Sequence, residues 1–98
     1  MNRLPNHAHF DGMQENGSAE QDVILHKEIV MLHAQSDPGS EFDIVLVDQA
    51  GNEQMVKKGC KSPNGRWGER VNLKLTDNYY KLAVKNVKGT KCLDVFCE

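Results

Sequence analysis

Six aromatic residues in 98 (one Trp, two Tyr, three Phe) leave this chain little with which to build a stacked track for nucleic acid. No apolar run approaches the roughly eighteen residues that a membrane-spanning helix needs. Met1-Asn2-Arg3-Leu4-Pro5 lacks the apolar stretch of a secretory leader, so a soluble chain in a reducing, cytoplasmic setting is the expectation. Three cysteines are an odd number and do not make a disulfide framework. Cys92 and Cys97 would stand roughly 16 Å apart along one strand, on opposite faces, which is too far to bridge. Cys60 could bridge to one of them only through a fold the sequence does not show, so free thiols at Cys60, Cys92 and Cys97 are the expectation.

Motifs of catalysis are missing too. There is no phosphate-binding glycine loop, no serine in a nucleophile-elbow context and no CxxC zinc spacing. No cysteine can be paired with a histidine from the sequence, so no catalytic residue is assigned and the chain reads as a non-enzyme. His7-x-His9 places two imidazoles on one side of an extended segment, with Asp11 as a further oxygen donor. The spacing resembles the first-strand metal motif of the amidohydrolases, but that fold needs a barrel far longer than this chain. Neither a metal nor a cofactor is expected. Asp48 and Asn52 read as turn formers, because the regular acidic spacing of a calcium loop is absent.

Apolar alternation is plentiful, and it reads as strand. Arg70 to Cys97 predicts a three-stranded antiparallel meander turning at Asp77-Asn78 and at Lys88-Gly89. That register pairs Leu73 with Leu82 and Val84 with Leu93. It sets Val71, Leu73, Leu75, Tyr80, Leu82, Val84, Leu93, Val95 and Cys97 on one apolar face. The other face would carry Arg70, Lys74, Lys81 and Lys85, with Phe96 among them. Phe42–Val47 is apolar on both faces and predicts a central strand. Glu53–Lys58 reads as its edge partner. Val23–Ala34 admits two readings: two short strands broken near His26-Lys27-Glu28, or one helix at about 19–35 capped from Ser18.

The expected architecture is all-β: a small antiparallel β-sandwich of six or seven strands over residues 22–98, ending in the meander. An α+β fold with the helix packed on the sheet is the alternative. Residues 1–21 are polar and read as a flexible arm.

Charge is uneven. Residues 1–56 hold ten acids and two bases; residues 57–91 hold ten bases and two acids. Such halves neutralise each other within a domain or mark a partner. The leading functional expectation is a binding or assembly module acting through a sheet face or edge on a protein partner or a second copy. The alternative is single-stranded nucleic-acid binding through Arg70, Lys74, Lys81 and Lys85. The loop Gly59–Glu69 adds Arg66 and Trp67 to the candidate binding residues, and Phe96 completes them. Trp67 either contacts a ligand or folds back as a lid on the core; the sequence leaves both open.

Overall fold

The computed structural model describes residues 6–98. Among the described residues eight strands follow one another with no helix: β1 (His7–Phe10), β2 (Gly17–Ile24), β3 (Ile29–Ser36), β4 (Ser40–Val47), β5 (Glu53–Ser62), β6 (Arg66–Asn72), β7 (Tyr79–Lys88) and β8 (Leu93–Cys97). They form two four-stranded antiparallel sheets, ordered β1-β8-β3-β6 and β2-β7-β4-β5. The sheets pack face to face as a β-sandwich. No helix among the described residues is long and apolar enough to cross a membrane.

Alternation decides which side chains go inside. Leu32, Leu93 and Val95 come from the first sheet; Phe42, Ile44, Leu46, Leu82 and Val84 come from the second. All are almost fully buried in one core. β4 is an inner strand of its sheet, with one face on the core, and even its outward Val45 is buried among its neighbours. The segment 23–34 is two strands broken at residues 25–28, not a helix. Its β-branched residues fill strand positions in opposite sheets.

The meander does not form. β6, β7 and β8 lie in the first, second and first sheet in turn. β7 pairs with β2 and β4, so Leu82 sits opposite Gln21 and Leu46 rather than Leu73 and Val95. Only β4 and β5 are joined as a hairpin; every other connection crosses the core. The apolar set survives the change, because a strand with one inward face is satisfied by a partner across the core as well as by one beside it. Tyr80 helps hold the β6–β7 crossing: its hydroxyl accepts from the Asp77 amide at 3.1 Å.

The expected arm is also different. Within residues 6–21, His7–Phe10 forms β1 on β8, and Gly17 onward forms most of β2 on β7. Ala8, Phe10 and Met13 are buried, few but enough to dock the segment. That expectation for residues 1–5 lies outside the described residues.

Asp43 is the one buried carboxylate. It faces two bulges, where Gly59 and Asn86 take positive φ (70° and 53°). Its carboxylate accepts from the Gly59 amide at 2.7 Å and from Asn86 Nδ2 at 2.9 Å. Burial pushes its pKa up, but those donors, with Lys58 and Lys88, outweigh it and hold the group below the ordinary aspartate value.

Candidate functional site

The outer face of the first sheet collects three of the chain's four histidines. In one row across the four strands stand His7, Phe96, His33 and Gly68. The next row holds His9, Asp94, Gln35 and Arg66. Adjacent strands lie about 4.8 Å apart, which lets flat side chains in one row stack. His7 lies on Phe96 with ring centres 4.3 Å apart and planes 6° from parallel. His33 covers the opposite side at 4.8 Å and 11°. The stack ends there, because the next residue in the row is glycine.

Gly68 has no conformational need to be glycine. Six of the eight glycines have positive φ, and Gly17 could not take a Cβ without striking the Gln14 carbonyl at 2.7 Å. Gly68 meets neither condition: a Cβ there would lie 3.3 Å from His33 Cβ and otherwise touch little. Its bareness leaves a groove of about 300 Å³ lined by His33, Gln35, Arg66, Trp67 and backbone. His33 forms its wall, and its Nε2 pairs with Glu98 Oε1 at 3.2 Å. Among the described residues, the side chains of Gln35 and Arg66 have no hydrogen-bond partner. They present donors and an acceptor into solvent.

Beside the groove runs a carboxylate–imidazole chain. His7 Nε2 and His9 Nδ1 both reach Asp94 Oδ1, at 2.9 and 2.7 Å. His9 Nε2 reaches Asp11 Oδ2 at 2.9 Å, and the Cys92 thiol donates to Asp11 Oδ1 at 3.2 Å. Asp94, then Asp11, raises the His9 pKa, since both ring nitrogens can donate only from the imidazolium. The Cys92 hydrogen bond, then His9, lowers that of Asp11. Accepting that bond works in reverse on Cys92, whose pKa rises, so its exposed thiol is no poised nucleophile. No group of three or more His, Cys, Asp or Glu among the described residues is arranged to hold a metal ion.

A second cleft, about 310 Å³ beside the exposed Tyr79, is occupied differently. Its polar groups are already bonded: Asp48 caps its own turn through the Ala50 and Asn52 amides, Gln49 donates to Asp77, and Lys81 pairs with Asp22.

The expected binding residues divide. Arg66 and Trp67 line the groove, Phe96 backs its His33 wall, and Arg70 stands one strand repeat beyond Gly68 on the same face. Trp67 is half-buried and, pointing inward between Arg66 and Gly68, packs on the core as a lid while bordering the groove. Lys74, Lys81 and Lys85 lie elsewhere. Lys74 is exposed in the β6–β7 crossing, and the two others lie on the second sheet. Lys81 meets Asp22 at 3.2 Å, and Lys85 meets Glu53 at 2.7 Å. The basic face therefore does not exist. Its members point to opposite sides of the sandwich, and acids from the N-terminal half neutralise two of them.

That geometry overturns both functional expectations. The protein-assembly reading rested mainly on the lack of a catalytic set and gained from Phe96 on a basic face and from the charge halves; Phe96 is instead clamped between imidazoles, and acids of the N-terminal half pair with Lys81 and Lys85. The nucleic-acid reading drew on four bases sharing one surface. His33, Gln35 and Gly68, which make the groove, carried no signal beyond their outward parity in strands.

No protein-family model and no curated protein matches the chain. Among solved structures, the chain is similar to the carbohydrate-binding module TmCBM61, solved in complex with β-1,4-galactotriose. The identity is 17%, the TM-score 0.47, and the match covers 97% of this chain and 62% of that one.

Proposed function

We propose that the chain is a non-catalytic module that binds a saccharide in the groove between His33 and Arg66. One observation carries the reading: the imidazole stack ends at Gly68, leaving a ring face bare above a backbone floor. A sugar ring has an apolar C–H face and a rim of hydroxyls. An exposed ring face suits the first, and the unengaged Gln35 and Arg66 side chains suit the second. The groove's size is at the lower end of small-ligand sites, which fits one or two sugar units. The carboxylate–histidine chain beside it keeps His7 and Phe96 upright, so the wall is set before a ligand arrives.

Gly68→Leu is the direct test. Its side chain would fill the groove without facing a positive-φ penalty. Titration calorimetry against a panel of oligosaccharides should detect binding to the parent chain that is lost in Gly68→Leu, with little change in thermal midpoint. A parent chain that binds none of the panel, or a variant that binds as well, would remove the reading. Trp67, the only tryptophan, lines the groove, so its emission should shift on saturation.

A further inference from the structure

The pairing of charges on this face says what kind of saccharide suits it. Each carboxylate beside the histidines is matched with an imidazole: Asp94 with His7 and His9, Asp11 with His9, and Glu98 with His33. The arginines are not. Among the described residues, Arg66 and Arg70 have no carboxylate within ion-pair range, although both project from the outer face of β6. On the second sheet the pattern is opposite, for Lys81 and Lys85 are paired with acids. The acids beside the histidines are thus spent on imidazole, Glu69 of β6 is paired with Lys57, and two guanidinium groups are left free at the groove.

Their spacing matters as much as their charge. Arg66 and Arg70 flank Gly68 at two residues on either side, hence about 7 Å from it and about 13 Å from each other along the strand. A guanidinium offers a planar fork that matches a carboxylate or a sulfate ester in two parallel hydrogen bonds. One fork stands in the groove beside Gln35. The other stands past its opposite end, across from Met31, whose exposed side chain gives an apolar patch beside it.

We propose that the groove prefers an anionic saccharide, whose carboxylate or sulfate groups are held by Arg66 and Arg70 while the ring rests on His33. This rests on the saccharide reading above and extends it to the class of sugar. A neutral sugar would meet Arg66 only through its hydroxyls and leave Arg70 solvated. An acidic sugar gains at both, and more at low salt, because these charges are exposed and screened within about 10 Å at 0.1 M.

The test compares three tetrasaccharides by calorimetry at 50 and 500 mM salt: a neutral β-1,4-linked chain, an oligouronate and a sulfated chain. The anionic probes should bind at least about tenfold tighter than the neutral one at low salt, a difference of about 1.4 kcal/mol. That advantage should shrink at high salt. Arg70→Gln should remove much of it while leaving neutral binding within about twofold, and Arg66→Gln should weaken anionic binding more than the neutral binding to which its side chain also contributes. A preference for the oligouronate over the sulfated chain, or the reverse, identifies the group the forks take. Equal affinity for neutral and anionic probes would overturn the proposal and leave the saccharide reading standing. Anionic binding untouched by both arginine substitutions would overturn it as well. If no probe of either charge binds, the saccharide reading falls and this one with it. Tighter binding of a single-stranded oligonucleotide than of any saccharide would likewise overturn both. Both arginines are exposed, so the variants should fold, and thermal melting checks that they do.

Discussion

His9 Nδ1 lies 2.7 Å from Asp94 Oδ1, which binds the short edge strand β1 to its neighbour β8 by side chains as well as backbone. The second His9 nitrogen is held by Asp11, so this clasp needs the imidazolium form. Its consequence is a pH dependence. A histidine whose folded pKa is raised contributes stability that is full below its unfolded value near 6.5. The contribution is lost as pH rises through the raised folded value. The melting temperature should therefore decline from pH 6 upward more steeply than in His9→Gln. Parallel profiles for the two chains would show that the clasp is idle.

Phe10 should matter to the whole domain. It is buried, although it lies in a stretch whose composition reads as a tail. Phe10→Ala should cost about 3–5 kcal/mol in chemical denaturation, the usual cost of a large core deletion. An unchanged midpoint would show β1 to be undocked in solution.

Asp43→Ala should cost about 1–3 kcal/mol, because it leaves the Gly59 amide and the Asn86 side chain without their acceptor. Since the folded pKa of Asp43 is lowered, its contribution is present above the unfolded value near 3.8 and fades as pH falls through the folded one. The stability difference between parent and Asp43→Ala should accordingly narrow in acid. A constant difference from pH 7 to pH 3 would contradict the assignment.

Leu82→Ala should cost about 2–5 kcal/mol, since Leu82 is almost wholly buried in the core. Lys81→Ala, next to it in sequence but outside and only ion-paired at the surface, should change stability by less than about 0.5 kcal/mol. Urea denaturation measures both, and similar costs would mean that β7 faces the other way.

The thiols should separate by accessibility. Burial pushes Cys60 and Cys97 up to about 12, and neither reaches the surface. Cys92 is exposed. A disulfide reagent at pH 8 should titrate one thiol in the native chain and three after denaturation. Rapid reaction of two or more native thiols would contradict the packing.

Much of the fold was legible because side-chain direction is a local property. In an extended chain successive residues point to opposite faces, so the alternation from Val71 to Cys97 already separates inward from outward positions. The two-sided apolar run Phe42–Val47 marks a central strand on the same ground. The break at His26-Lys27-Glu28 could also be read, since three polar residues interrupt two β-branched runs. What local pattern cannot carry is the identity of the partner. Leu82 is content beside Leu46 or beside Leu73, and only the packing of all eight strands selected the first. Once β6, β7 and β8 alternate between sheets, outward residues that looked like neighbours part company. Lys81 and Lys85 go to one side and Arg70 and Phe96 to the other. The groove has the same origin. His7, His33, Gly68 and Phe96 are scattered over ninety residues, and no periodicity joins them. They share one row because antiparallel pairing sets four distant strands side by side at a single register.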